Sequence, residues 1–167
     1  MLRASRKIDG LYSIGAIRPL HCRALAQLFR HAIENDFSYY SSDYQKLTQR
    51  QNTAAKLCLG ALRKSRVLIG VWYTGELVGY LIGATRPGSS DGDVFWLYVR
   101  PDHRGKKLGA DLLLESIRNF RALGIKNLEL VTYDHADFYK KHDFQVERLA
   151  KGFIGGQDVY IMKRSLV

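Results

Sequence analysis

The sequence predicts a mixed α/β (α+β) fold in which seven strands and four helices follow one another as β-α-α-β-β-β-α-β-α-β-β. Three observations carry this. A strand-length run of apolar, aromatic and β-branched residues at 95–99, FWLYV, is stopped by Pro101; Leu113, Ile117, Phe120 and Leu123 then follow at helical spacings, with Gly124 as a C-terminal cap. Two apolar runs, 67–73 and 77–85, are separated by Thr74-Gly75, a hairpin signal. At 167 residues, 46% hydrophobic and 25% charged, the chain has enough apolar side chain for one core, so a single domain spanning 1–167 is expected.

In chain order, residues 1–9 are basic and weakly patterned, and are expected to be loosely ordered. Residues 12–17 alternate as a first strand, closed by Pro19. Leu25, Leu28, Phe29, Ala32 and Ile33 fit the i, i+3, i+4, i+7, i+8 template of an amphipathic helix. A polar, aromatic loop at 34–43 ends in Ser42 or Asp43. Either can cap a second helix, whose expected apolar face is Leu47, Gln51, Ala54, Ala55, Cys58, Ala61 and Leu62. After the hairpin, Pro87-Gly88-Ser89-Ser90-Asp91-Gly92 forms a loop into the central strand. Strands at 127–132, 144–149 and 158–163 and a short helix at 134–142 complete the order.

Between the central strand and its helix lies Arg104-Gly105-Lys106-Lys107-Leu108-Gly109. A helix start directs unpaired backbone N–H groups and a partial positive charge outward, and glycines allow a close approach to the backbone, so this turn suits a phosphate or pyrophosphate. Neither the P-loop nor the GxGxxG spacing is present. A solvated basic turn is the alternative reading.

The stretch resembles the acetyl-CoA motif of the GNAT N-acetyltransferases, Arg or Gln, two residues, Gly, one residue, then Gly or Ala. It falls here on Arg104, Lys107, Leu108 and Gly109, with Gly105 directly after the arginine and Lys107 in the place of the first glycine. Downstream, Phe138-Tyr139-Lys140-Lys141-His142-Asp143-Phe144 resembles the family's FYxxxGF signature, with Asp143 for glycine. The resemblance extends from about Tyr12 to Arg164. It implies the GNAT fold, a sheet of about seven strands, mixed and mostly antiparallel, with acetyl-CoA as co-substrate. It also implies that the central strand parts from its neighbour, leaving backbone groups of Leu97 and Val99 for the pantetheine arm. The amides of Arg104, Gly105, Lys106, Lys107, Leu108, Gly109 and Ala110 would wrap the pyrophosphate. The Lys107 Cβ would crowd it, weakening or reorienting binding. Asp143 tolerates a left-handed conformation better than most non-glycine residues.

The implied chemistry is direct attack of an amine on a thioester. An alkyl ammonium with a pKa of about 10.4 must lose a proton, at a cost of roughly 4.6 kcal/mol at pH 7, so a general base helps. Asp93 falls where the histone-acetyltransferase branch carries its glutamate base; a capping or solvated aspartate is the alternative. Glu34 and Asp36, in the loop that commonly roofs the acceptor site, are weaker candidates for the base; with Tyr39 and Tyr40, whose alternative is core or loop packing, they are also the candidate acceptor contacts. Tyr139 matches the tyrosine that protonates the leaving thiolate; packing as half-buried core is its alternative. Thr132 stands where many relatives place a cofactor-contacting asparagine, and His135 precedes Tyr139 by one turn.

The expected activity is N-acetylation of a primary amine, first a small-molecule amine, then a protein lysine or N-terminus. A non-catalytic CoA-binding or regulatory module is the reading from another class. A net charge of +10 invites nucleic acid, but the basic residues are scattered and no RNP, zinc or helix-turn-helix pattern appears. An anionic cofactor is equally attracted. No metal site is expected, and no run approaches a membrane span. Cys22 and Cys58 read as buried free thiols of a cytoplasmic protein. A homodimer through the C-terminal strands is the family's habit and stays open.

Overall fold

The computed structural model describes residues 6–8, 10–37, 39–154 and 156–167. Among these residues eight strands form one sheet: β1 (Arg6–Lys7), β2 (Tyr12–Ala16), β3 (Arg66–Tyr73), β4 (Glu76–Thr85), β5 (Asp91–Val99), β6 (Asn127–Thr132), β7 (Gln145–Ile154) and β8 (Gln157–Ser165). The helices are α1 (Cys22–Asn35), α2 (Ser42–Gln51), α3 (Ala54–Ala61), α4 (Leu108–Ala122) and α5 (Ala136–Lys140). The strand order is β1-β2-β3-β4-β5-β6-β8-β7. All neighbours run antiparallel except β5 and β6, which are parallel and joined across α4. The seven expected strands are present, and Arg6–Lys7 adds a short edge strand on β2. Residues 1–5 and 9 of the segment expected to be loosely ordered lie outside the described residues.

The sheet is covered on both faces, and β3 and β4 therefore read as nearly continuous apolar runs rather than alternating ones. On one face α4 packs Leu108, Leu112, Leu113, Ile117 and Phe120 against Ile14, Val67, Ile69, Leu81 and Val94. Phe120 lies so close to the sheet that a Cβ at Gly83 or Gly92 would come within 2.9 Å of its ring, so those two positions must be glycine. On the other face α1 buries Leu25, Leu28, Phe29, Ala32 and Ile33 against Leu68, Tyr80, Ile82 and Tyr98, which is the face its periodicity predicts. Thr74 (φ 46°) and Gly75 (φ 95°) are both left-handed, as a two-residue hairpin with the right twist requires.

The expected second helix is a correction. It is two helices, broken at Asn52 and Thr53. The Thr53 hydroxyl accepts from the Lys56 amide (3.4 Å) and starts α3, while the Asn52 side chain donates to the Thr48 carbonyl (2.9 Å) and ends α2. The break resets the helical phase. Leu47 and Leu62 are consequently exposed, at 49% and 70%, and Thr48, Leu57 and Gly60 are buried instead. Among the described residues no helix is long and apolar enough to cross a membrane. Removing the cap in Thr53→Ala is expected to cost about 1 kcal/mol and lower the melting temperature by roughly 2–4 °C in calorimetry, an outcome that an uninterrupted helix would not show.

Candidate active site

The parallel pair β5–β6 is joined only from Asp91↔Asn127 to Val94↔Leu130. Beyond that point β5 stays on β4 as far as Val99, and β6 stays on β8 as far as Thr132, so the two strands part within the sheet. The cause is local. Against β4, Ile82 faces Trp96 and Gly83 faces Val94, which leaves Phe95 as an extra residue in β5. Such a bulge bends its strand and increases the twist. The Arg100 amide bonds back to the Val78 carbonyl (2.9 Å), so by alternation Leu97 and Val99 direct their backbone groups away from β4, into the gap. Of these, the Val99 carbonyl is already taken: Arg104 Nε donates to it (2.8 Å).

The basic turn has the geometry of an anion cradle. Gly105 (φ 77°) and Lys107 (φ 60°, ψ 10°) are left-handed, and α4 starts at Leu108 with its first amides outside the intrahelical ladder. A left-handed lysine costs roughly 1–2 kcal/mol, which explains why the motif's pattern has glycine there. At Gly109 an added Cβ would meet only the edge of the Phe138 ring, at 3.8 Å, so the missing side chain leaves open space over the first turn of α4. That space and those amides fit a phosphate group.

Two of the three cationic side chains of the turn are engaged elsewhere. Arg104 also reaches Asp36 (3.4 Å) and lies over the Tyr98 ring (5.7 Å), tying the turn to the loop after α1. Lys106 Nζ donates to the Tyr12 hydroxyl (3.0 Å), and this bond, more than any other influence, holds its pKa above the usual lysine value. Buried His103 joins the same group, with Nδ1 2.8 Å from the Tyr12 hydroxyl and Nε2 2.9 Å from Arg100. Because Arg100 can only donate, Nε2 is the acceptor and Nδ1 carries the proton toward Tyr12.

The gap opens into a cavity of about 600 Å³. Tyr139 lines it from α5, only 9% exposed, and its hydroxyl has no hydrogen-bond partner among the described residues. Burial, and secondarily Tyr40, pushes its pKa well above the ordinary phenol value. Tyr39 stacks on Tyr133 (5.0 Å, 23° between planes) and touches Tyr40 (4.5 Å), which closes the loop after α1 over the cavity. Asp93 lines the wall, but Arg86 grips both its oxygens, through Nε (2.9 Å) and one NH2, and bridges to Glu129 (2.8 Å). Asp93 and Glu129 are register partners on β5 and β6. Thr132 is buried and its hydroxyl accepts from the His135 amide (3.3 Å).

Two candidate acceptor contacts are not in the cavity. Glu34 is exposed and accepts from Gln49 (3.2 Å), and the Asp36 carboxylate turns back to the Tyr98 hydroxyl (2.7 Å) and Arg104. The loop contributes rings rather than carboxylates. Sequence reasoning missed Glu129, Arg86 and Tyr133. The alternation of β6, with Leu128 and Leu130 buried on one side, already places Glu129 on the other; the Arg86 bridge has no local signal.

Residues 25–144 match the acetyltransferase (GNAT) family. No curated protein matches the chain in sequence. Similar folds occur in the PaiA N-acetyltransferase of Thermoplasma acidophilum, crystallised with coenzyme A (TM-score 0.77, 22% identity, 92% of this chain and 98% of that one). They also occur in YncA of Salmonella typhimurium with acetyl-CoA (0.69, 16%, 95% of each). A third is the ribosomal-protein-S18-alanine N-acetyltransferase of Escherichia coli (0.70, 14%, 93% and 94%). Relief of the left-handed strain in Lys107→Gly is expected to raise stability by about 1 kcal/mol, read as a higher denaturation midpoint at unchanged slope; no gain would contradict the backbone assigned to the turn.

Proposed function

We propose, from the premise that this chain belongs to the acetyltransferase (GNAT) family, that it transfers an acetyl group from acetyl-CoA to a primary amine, in the first instance a small-molecule amine. The observation that carries this reading is the parting of β5 and β6 into a cavity lined by Tyr139, beside the left-handed turn that opens α4. The bound co-substrate would supply an activated acyl carbon and a thiolate leaving group. The rest is done by the chain. The Leu97 backbone and the Val99 N–H present an open strand edge, and the amides of Arg104, Gly105, Lys106, Lys107, Leu108, Gly109 and Ala110 surround an anion at the helix start. Lys106 and Lys107 add positive field at that end.

Tyr139 holds a proton at its hydroxyl across the whole physiological range because burial disfavours the phenolate, so it can donate to a departing sulfur. Asp93 is the proposed base. With Arg86 on both of its oxygens it takes up the amine proton through water or shares that duty with Glu129. The Tyr39–Tyr133 stack narrows the acceptor path and supports a small acceptor over a polypeptide. Transfer to a protein lysine or N-terminus is the second reading, supported by Ile154 of the long β7–β8 hairpin at the cavity wall. A CoA-binding module without turnover is the alternative from another class. Free Cys22, which burial and then Cys58 push up to about 11, supports a reducing, cytoplasmic location. The exposed Val146, Leu149 and Phe153 of edge strand β7 support a homodimer.

In steady-state acetyl transfer with a panel of amines, Tyr139→Phe is expected to lower kcat by about 10²-fold and Asp93→Asn by less, since Arg86 already restrains that carboxylate. CoA binding without turnover on any amine would sink the enzyme reading. Because Tyr139 titrates above the usual value near 10, the rate should rise with pH as the amine deprotonates and show no falling limb below about pH 10. A fall there that disappears in Tyr139→Phe would contradict the proton assigned to it.

A further inference from the structure

A second cavity, of about 210 Å³, adjoins the first. The two share Gln51, Asn52, Lys56, Arg66 and Ile82 in their walls, so the acceptor space continues into it. Its charged lining is Lys56, Arg63 and Arg66, and no carboxylate lines it among the described residues. What sets these three cations apart is that they share one concave wall without a carboxylate. Arg86, Arg100, Arg104, Arg118 and Arg164 each lie within 3.4 Å of a carboxylate. Lys56, Arg63 and Arg66 have no ion-pair partner among the described residues.

Two of the three are nevertheless held in place. Lys56 Nζ donates to the Arg50 carbonyl (2.8 Å), which leaves it two further N–H donors. The Arg66 guanidinium lies over the Phe95 ring (5.6 Å), the bulged residue of β5. Leu97, where the strand edge opens, is two residues from Phe95 on the same strand. A concave wall that gathers three exposed cations, two of them held in place and none paired with a carboxylate, favours an anion brought by a ligand.

We propose that this second cavity is an anion subsite of the acceptor site, so that the acceptor is a primary amine carrying a carboxylate or phosphate. The inference rests on the reading of the larger cavity as the acceptor site. The amine end lies beside Leu97 and Tyr139, and the anionic end is held by Arg66, Arg63 and Lys56. The forked guanidinium of arginine suits either anion.

The test is calorimetric titration of the full chain with matched probes: 6-aminohexanoate against hexylamine, and 5-aminopentyl phosphate against pentylamine. The anionic member of at least one pair should bind 10-fold or more tightly than its neutral partner, and the pair that shows it tells carboxylate from phosphate. Arg63→Gln combined with Arg66→Gln should erase the difference. Lys64→Gln, which removes an exposed cation outside the cavity, should not. Equal or weaker binding of both anionic probes overturns the subsite, as does a loss in Lys64→Gln equal to that of the arginine pair, because the net field would then suffice. Acetyl transfer to the same probes is measured separately. Selective binding with no transfer overturns the transferase reading and leaves the subsite; transfer with no anionic preference does the reverse.

Discussion

An unpaired backbone edge inside a sheet is the constraint from which the rest of this structure follows. Buried N–H and C=O groups are rarely left without partners, because each orphan costs free energy comparable to a lost hydrogen bond. Here the extra residue at Phe95 turns β5 away from β6 after Val94, and the opened edge borders a cavity rather than packed side chains. One of the exposed groups, the Val99 carbonyl, is satisfied by Arg104, whose side chain thereby fixes the start of the basic turn to the end of the strand. The same arginine reaches Asp36, so the loop that roofs the cavity and the turn that opens α4 are positioned by one guanidinium.

Backbone conformation, not side-chain identity, is what the two imperfect motifs preserve. Lys107 and Asp143 stand where the patterns have glycine, and both are left-handed, with φ of 60° and 61°. Each position accepts local strain to keep its turn: at Lys107 one that opens α4 with its first amides outward, at Asp143 one whose amides close back on the carbonyls ending α5. Asp143 offsets part of that strain by pairing with Arg164 (3.1 Å). Lys107 has no such partner among the described residues.

Features set by neighbours in sequence were legible. The strand at 95–99, the amphipathic faces of α1 and α4 and the Thr74-Gly75 hairpin all follow from periodicity and turn chemistry, and the order of elements came with them. Features set by distant residues were not. The break at Thr53 is an exception, since it is set locally by a hydroxyl that accepts from the amide three residues on, within a stretch whose apolar spacing reads as one helix. Glu34 and Asp36 were placed at the acceptor site by their loop, whereas Gln49 and Tyr98, contributed by other elements, draw them away. The clamp on Asp93 joins Arg86 to Glu129 across the parallel register of β5 and β6, a proximity that only the closed sheet creates.

The central claim is that the left-handed turn and the first amides of α4 hold the pyrophosphate of acetyl-CoA. Calorimetric titration of acetyl-CoA into the chain and into Gly109→Trp tests it directly, since a Cβ at 109 meets only the Phe138 ring, at ordinary contact distance (3.8 Å). The account predicts binding by the parent that the variant abolishes at unchanged melting temperature. No binding by the parent, or equal binding by both, would contradict it.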